Sequence, residues 1–203
     1  MGLDSYLYKS KSGYLLKNGK ISKKFKSYRE DKFGIGNRIE IKTTVLYLRK
    51  ANEIHNWFVE NVQNGNDDCG EYEVSYENLH RLYDTCKKII DVVDGTKMFI
   101  PKKYLNKAWY KDMEKEFTFD SKNLKKMVDC GLWNYHFKND KANEIIKDNL
   151  PPRDGFFFGS TKIDGKYLYD IAKTILMLNN IFKELKIEEK NKDFPTFYYQ
   201  ASW

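Results

Sequence analysis

The segment that most constrains the fold of this chain is residues 47–63, YLRKANEIHNWFVENVQ. At about 100° per residue its apolar side chains span more than half of a helical circumference, wider than the stripe of an ordinary surface helix. These side chains are Tyr47, Leu48, Ala51, Ile54, Trp57, Phe58, Val59 and Val62. The pattern predicts a central helix that is packed on most of its sides.

The polar residues of this predicted helix fall into two groups. Those expected to face solvent are Arg49, Glu53, Asn56 and Glu60. Arg49 and Glu53, four residues apart, are predicted to form a surface ion pair. Those within or beside the apolar arc are Lys50, Asn52, His55 and Asn61. A buried polar group costs stability unless it has a partner, so this second group supplies candidate site residues. The alternative is that they only bond to neighbouring backbone.

Length and charge indicate one domain with an anionic partner. A chain of 203 residues is long enough for a substantial core. Its net charge of +7 favours nucleic acid, a nucleotide or a membrane surface as a partner. However, Asp and Glu are interspersed with Lys, and no run of five like charges occurs. A nucleic-acid partner is therefore not expected.

Cysteine and histidine usage gives no sign of a disulfide framework or a metal site. Cys69, Cys86 and Cys130 are widely separated, and the three histidines are scattered. This pattern favours reduced thiols and predicts neither zinc nor another cofactor. No apolar run is long enough to span a membrane, and the start lacks a signal-peptide pattern. We therefore expect a cytoplasmic protein that does not contact membranes.

The first part of the chain predicts β-structure. Over residues 1–9, Leu3, Ser5 and Leu7 alternate with Asp4, Tyr6 and Tyr8, which predicts a short strand with one face towards the core. Residues 10–38 predict a strand pair or a mobile arm, because Asn18-Gly19 is a hairpin signal. Residues 39–46 are rich in β-formers and lead into the central helix.

A second helix is predicted after a turn cluster at residues 64–68. Residues 71–74 predict a short strand, and Ser75 is a good N-cap for the helix that follows. Cys86 lies on the apolar face of that helix, so it is expected to be a buried, inert thiol.

Residues 94–150 are less regular and are predicted to form an inserted subdomain or a lid. Short helices are expected at 121–130 and 140–148, and the alternating aromatics of residues 133–137 predict a strand. An oligomer contact is an alternative role for this region.

The C-terminal part predicts a strand, a long helix and a final strand. GFFFGST, residues 155–161, reads as a strand buried on both faces that ends at a turn permitted by Gly159. Asp164 or its neighbours are expected to cap the long helix, and residues 194–203 are expected to form the last strand. Residues 1–203 are thus predicted as one α+β domain, with a small antiparallel or mixed sheet packed by two long helices and an inserted region.

The turn Gly159-Ser160-Thr161 is the best local candidate for a binding site. A strand that ends in a glycine turn before a helix presents backbone N–H groups and hydroxyls, which receive phosphate or carboxylate. Helix capping is the alternative role for the two hydroxyls. Tyr199 and Gln200 in the last strand point to opposite faces, so either could line a pocket or be an ordinary strand residue. No P-loop, dinucleotide or catalytic motif occurs, so binding is favoured over turnover.

Several motifs resemble a family of small bacteriophage proteins. They are MGLDSYL at the start, RKANEIHNWFVENVQ followed by DDC, GFFFGST with Asp164 and Tyr167 behind it, and the closing FYYQASW. The resemblance covers the first strand, both early helices and roughly the last fifty residues. Residues 10–38 and 94–149 fall outside it. It implies phage origin and expression in the host bacterial cytoplasm, without implying an activity.

The resemblance also suggests a role in counter-defence. The polar residues that meet these motifs are Arg49, Lys50, Asn52, His55, Gly159, Ser160, Thr161, Tyr199 and Gln200, and Phe158 adds a ring. Accessory phage proteins without catalytic motifs look similar to immune-evasion sponges, which are compact homo-oligomers that sequester nucleotide signals. Such a pocket needs cations for phosphates, rings for bases and amides for base edges.

Three functions are open at this point. A nucleotide sponge predicts a deep pocket with convergent polar groups. An inhibitor that binds a host protein directly predicts an exposed aromatic patch, for which residues 94–149 are the candidate region. A phosphodiesterase or nuclease predicts a metal or a histidine pair in the pocket, and the scattered histidines make it the least expected of the three.

Overall fold

The computed structural model describes residues 2–15, 21–22, 38–155, 160–190 and 194–203. It consists of antiparallel sheets with helices packed against them, so the predicted α+β class is confirmed. No helix within these ranges has the length and apolar content needed to cross a membrane.

Eight strands and five α-helices are described. The strands are β1 (Asp4–Leu15), β2 (Ile21–Ser22), β3 (Arg38–Arg49), β4 (Tyr72–Val74), β5 (Lys97–Phe99), β6 (Glu116–Thr118), β7 (His136–Phe137) and β8 (Thr196–Ser202). The helices are α1 (Asn52–Asn61), α2 (Tyr76–Val93), α3 (Leu124–Asp129), α4 (Asp140–Asn149) and α5 (Gly165–Lys190). Short 3-10 turns occupy Lys102–Tyr104, Ala108–Tyr110, Ser121–Asn123 and Leu132–Asn134.

The main sheet is organised around β1. Strand β3 pairs with it in antiparallel register and β8 does likewise, so that Asp4 lies opposite both Arg49 and Ser202. Strand β4 extends the sheet beyond β8, and β2 pairs with the last residues of β1. Strands β5, β6 and β7 form a separate sheet in the order β6-β5-β7.

The first nine residues present one face to the core, as their alternation predicts. Leu3, Ser5 and Leu7 are buried, whereas their even-numbered neighbours are only partly covered. Helices α2 and α5 add long apolar faces to the same core. The Ser75 side chain caps α2 by accepting a hydrogen bond from the backbone N–H of Asn78 at 3.1 Å, as predicted.

The helix predicted over residues 47–63 is shorter than expected, because residues 47–49 belong to β3. Strand β1 offers these residues a continuous ladder of backbone partners, which outweighs their helical spacing. Lys50 then takes the left-handed conformation, φ 60°, and its N–H bonds to the Leu3 carbonyl oxygen at 2.8 Å. The predicted Arg49–Glu53 surface pair is wrong, because Arg49 ends β3 and Glu53 is buried in the first turn of α1.

Residues 94–150 carry the second sheet together with α3 and α4. Their buried side chains join the same hydrophobic core as the main sheet, α2 and α5. The helices predicted at 121–130 and 140–148 are found as α3, with its preceding 3-10 turn, and α4. The strand predicted over residues 133–137 is limited to β7, because the chain up to Asn134 forms a 3-10 turn.

Two sequence predictions lie outside the described residues. They are the hairpin turn at Asn18-Gly19 and the strand through residues 156–159, which includes the candidate site residues Phe158 and Gly159.

Candidate functional site

Glu53 and Asp170 form a pair of buried carboxyl groups, here called the acid pair, between the start of α1 and the second turn of α5. Glu53 is 6% exposed and Asp170 is 3% exposed. Their side chains are hydrogen-bonded to each other. Two carboxylates so close together in a medium of low dielectric constant cannot both be charged, so the pair shares a proton.

The proton belongs to Glu53 near neutral pH. Burial, reinforced by the charge of Asp170, raises the pKa of Glu53 to about 8. Burial also raises the pKa of Asp170, to about 6, but Lys166 forms an ion pair with this carboxylate and opposes the rise. Glu53 is therefore the neutral acid that donates, and Asp170 is the carboxylate that accepts.

The acid pair lines a cavity of about 290 Å³, here called the cation pocket. Its cationic lining residues are Lys50, Arg153, Lys162 and Lys166. Its other lining residues are Glu53, Ser160, Asp164, Tyr167 and Asp170. Because Glu53 is neutral at pH 7, the lining holds two carboxylates against four cations, and a third carboxylate, that of Glu60 outside the lining, lies 3.6 Å from Arg153. The pocket is thus suited to an anionic ligand.

Local hydrogen bonds hold the walls of the cation pocket in place. The Asp164 side chain caps α5 as predicted, accepting from the backbone N–H groups of Lys166 at 3.0 Å and Tyr167 at 3.3 Å. The Tyr167 hydroxyl donates to the Leu150 carbonyl oxygen at 2.6 Å. The buried Asn52 amide donates to the carbonyl oxygen of Arg153 at 3.3 Å, which ties that segment to α1.

Only some of the predicted site residues meet at this pocket. Lys50 and Ser160 line it, and the Ser160 hydroxyl also accepts from the backbone N–H of Lys162 at 3.1 Å. Arg49 and Thr161 are exposed and do not line the cavity.

His55 and Tyr199 meet each other, but on the opposite side of α1 from the cation pocket. Positions 53 and 55 are about 200° apart around a helix. His55 Nδ1 lies 2.8 Å from the Tyr199 hydroxyl, and Nε2 lies 3.1 Å from Asp67 Oδ1. The Tyr199 hydroxyl is also 3.1 Å from Ser5 Oγ. This chain of hydrogen bonds ties α1 and the loop after it to the main sheet.

Gln200 lies apart from both groups. Its side chain is on the other face of β8 and donates to the carbonyl oxygen of Cys69 at 3.1 Å. Those residues predicted as one site that the structure describes therefore do not come together in the fold.

Sequence reasoning missed most of the pocket. The missed acidic and basic lining residues are Glu53, Arg153, Lys162, Lys166 and Asp170, together with Asp164, which was predicted only as a helix cap. One signal was present in the sequence: Asp170 is an acid inside the wide apolar arc of α5, and Lys166 lies one turn before it. Such an acid must be buried with a partner.

The fold and the site define an α+β protein with a cation-lined pocket that contains a buried acid pair. No family model, curated protein sequence or solved structure matches the chain. Within the described ranges, no three His, Cys, Asp or Glu side chains are grouped so that they could hold a metal ion.

Replacing Glu53 with Gln is expected to flatten the pH dependence of stability. Between pH 6 and 8 the unfolded Glu53 is ionised, since its ordinary pKa is 4.5, whereas the folded one keeps its proton to about pH 8. The native state then binds more protons, so the unfolding free energy falls as pH rises, by at most about 1.4 kcal/mol per pH unit. Glutamine keeps a donor for Asp170 and does not titrate.

Urea unfolding at pH 6, 7, 8 and 9 measures this effect. The matched control is Glu144→Gln, which replaces an exposed acid on α4. Its unfolding free energy should fall with pH as steeply as that of the wild type. If the unfolding free energies of Glu53→Gln and the wild type changed equally with pH, Glu53 would already be ionised in the native state.

Proposed function

We propose that this chain is a phage-encoded counter-defence protein that sequesters an anionic, nucleotide-type immune signal in the cation pocket. The observation that supports this is the set of four cations, Lys50, Arg153, Lys162 and Lys166, around one cavity. Lys and Arg side chains form charge-assisted hydrogen bonds with phosphate oxygens, about twice as strong as neutral ones. The phage setting and action in the host cytoplasm rest on the sequence resemblance.

The size of the cavity restricts the ligand. Its volume of about 290 Å³ is at the lower end of the range for small-molecule sites, roughly 300–1,000 Å³. We therefore propose that it holds one nucleotide unit, either a mononucleotide or part of a larger signal. In the proposal the protein acts as a homo-oligomer.

The carboxyl groups of the pocket favour binding over hydrolysis. Asp164 is engaged in capping α5, Asp170 is paired with Lys166, and the proton of Glu53 is shared with Asp170. No described residue that lines the cavity is a histidine. A general base that could activate water is therefore not evident among these residues.

Native mass spectrometry tests sequestration directly. The purified protein would be examined with and without mononucleotides, cyclic dinucleotides and ADP-ribose derivatives, and the ligand recovered after heat denaturation. Tight binding with intact ligand supports the proposal, and the same spectra give the oligomeric state. Recovery of a cleaved ligand would indicate an enzyme instead, and no binding across the panel would refute the proposal.

Removing one cation from the pocket is expected to weaken nucleotide binding. Arg153→Ala and Lys162→Ala should each raise the Kd about tenfold, because each removes a charged hydrogen bond worth about 1.5 kcal/mol. Isothermal titration calorimetry at constant ionic strength measures the change. Lys147→Ala is the matched control, since Lys147 is an exposed cation on α4 that does not line the pocket. An equal Kd for both pocket variants and the control would contradict the assignment.

A second candidate, an inhibitor of a host protein, is favoured by the exposed aromatic side chains of residues 94–149, which are Trp109 and Trp133. Trp109 is 82% exposed. Nearby in the chain, Lys103 Nζ and Lys107 Nζ lie over the ring of Tyr104, 4.7 Å and 4.9 Å from its centroid. Exposed aromatic side chains, tryptophan and tyrosine in particular, are enriched at protein interfaces, whereas lysine is depleted there. Trp109→Ala separates the two functions, because it would abolish inhibition while leaving nucleotide binding unchanged.

A further inference from the structure

Three lysines, here called the lysine cluster, surround the ring of Tyr104. Lys103 Nζ and Lys107 Nζ lie 4.7 Å and 4.9 Å from the centroid of this ring. Lys162 belongs to a different segment of the chain, and it is close enough for its charge to act on the Tyr104 phenol. All three lysines are exposed. The fold therefore brings three ammonium groups to one place on the surface.

The lysine cluster is not neutralised by acids of the described chain. Within the described residues, no ion pair joins Lys103, Lys107 or Lys162 to a carboxylate. The pKa of the Tyr104 phenol is lowered, first by its hydrogen bond with Lys103 and then by the charges of Lys103, Lys107 and Lys162. Like charges held together repel each other, and an anion placed among them relieves the repulsion. The cluster is thus suited to bind an anionic group.

The lysine cluster adjoins the cation pocket through Lys162. This residue lines the pocket and also belongs to the cluster, whereas Lys103, Tyr104 and Lys107 do not line the cavity. The positive surface therefore continues from the cavity to the ring of Tyr104. A ligand that is longer than the cavity could contact both places at once.

A series of contacts fixes the ring of Tyr104 relative to the pocket. The ring stacks on that of Tyr110 with centroids 5.7 Å apart, and the Tyr110 hydroxyl donates to Asn134 Oδ1 at 3.2 Å. The next residue, Tyr135, accepts a hydrogen bond from the backbone N–H of Gly165 at 2.8 Å. Gly165 begins α5, whose first turns line the pocket. The cluster and the pocket are therefore supported by the same part of the fold.

We infer that the lysine cluster is a second phosphate-binding subsite, so that the preferred ligand of the cation pocket has at least two nucleotide units. This inference rests on the proposed function. One nucleotide unit fills a cavity of about 290 Å³, so the phosphate of the next unit lies outside it, where the cluster is. Lysine ammonium groups bind phosphate as point charges. Because lysine is depleted at protein interfaces, the docking of a host protein does not explain the cluster.

Calorimetric titration of the wild-type protein with three kinds of ligand tests the inference. For each of the four bases, they are the nucleoside 5′-monophosphate, the nucleoside 5′-diphosphate and the 5′-phosphorylated dinucleotide. The dinucleotide should bind at least about tenfold tighter than the monophosphate, because its second phosphate adds a charged hydrogen bond. The diphosphate should bind more weakly than the dinucleotide, since its second phosphate is bonded directly to the first and stays in the pocket.

Two double variants then locate the second phosphate. The quantity compared is the gain in affinity from the monophosphate to the dinucleotide. In Lys103→Ala/Lys107→Ala this gain should fall to less than about threefold, because two of the three ammonium groups are lost. The matched control is Lys125→Ala/Lys147→Ala, which removes the same charge from exposed positions on α3 and α4. The control should keep the wild-type gain.

The outcomes separate this inference from the proposed function. Equal affinities of the wild type for monophosphate and dinucleotide would overturn the inference and leave the cation pocket as a mononucleotide site. A diphosphate that binds as tightly as the dinucleotide would place the second phosphate inside the pocket and also overturn it. Retention of the wild-type gain in Lys103→Ala/Lys107→Ala would assign the second phosphate to other residues, which contradicts the inference. Failure of all the ligands to bind would overturn both the inference and the proposed function.

Discussion

Replacing Gly165 with Ala is expected to destabilise the protein by about 4 kcal/mol or more, enough to lower the Tm by roughly 10 °C. A Cβ atom at this position would lie 2.0 Å from the carbonyl oxygen of Leu132 and 2.5 Å from that of Tyr135. Both are backbone atoms, so no side-chain rotation relieves the clash. Overpacking of this kind is costly because the interior is close-packed.

The same substitution would also disturb the cation pocket. Gly165 begins α5, and its N–H donates to the Tyr135 carbonyl oxygen at 2.8 Å. If this contact is pushed apart, the first turns of α5 move, and they carry Lys166 and Asp170. If the proposed function holds, nucleotide binding should therefore be lost together with stability.

Thermal denaturation followed by circular dichroism measures the effect of Gly165→Ala. The matched control is Gly2→Ala, because a Cβ there would meet only Lys50 Cε at 3.4 Å, an ordinary contact with a flexible side chain. We expect the control to change stability by less than about 0.5 kcal/mol. A Tm for Gly165→Ala close to that of the wild type would mean that α5 does not begin against residues 132–135.

Replacing Phe58 with Ala is expected to cost about 3–5 kcal/mol. The Phe58 ring is completely buried and stacks on the Tyr199 ring with centroids 3.8 Å apart. The Tyr199 hydroxyl is within hydrogen-bond distance of both His55 and Ser5, so its ring cannot move to fill the space. The cavity would remain open, which places the cost in the upper part of that range.

Urea unfolding of Phe58→Ala tests this expectation. The urea concentration at the midpoint of unfolding should fall while the m-value stays the same, since the surface exposed on unfolding is nearly unchanged. Trp109→Ala is the control, an aromatic that is 82% exposed, and it should stay within about 0.5 kcal/mol of the wild type. If Phe58→Ala lowered the unfolding free energy by less than about 1.5 kcal/mol, the neighbouring side chains would have moved to fill the space left by the ring.

Several elements of this fold could be predicted because their signals are local. The burial of Leu3 and Leu7 follows from the period-two alternation of β1, and the caps at Ser75 and Asp164 follow from the hydroxyl or carboxylate before an apolar run. The α+β class follows from the sum of such elements. In each case the residues that decide the structure are neighbours in the chain.

The arrangement of the candidate site was not predictable in the same way. The position of α5 decides which polar residues of α1 lie at a cavity. Glu53 was expected at the surface, but it is buried because Asp170 of α5 packs against it. Tyr199 and His55 were grouped with Lys50 in the prediction, yet they lie on the other side of α1. Sequence spacing gives the face of a helix but not the element that covers it.

The sequence by itself thus determined the first and last strands, the apolar faces of α2 and α5 and the caps of these two helices, since these depend on interactions within a few residues. The tertiary structure alone decided that residues 47–49 join a strand, where β1 offers them backbone partners from 40 or more residues away. It also decided that Glu53 and Asp170 share a proton in one pocket with Lys50 and Arg153. The physical reason is that desolvation and charge pairing depend on contacts between segments distant in the chain, which no local pattern records.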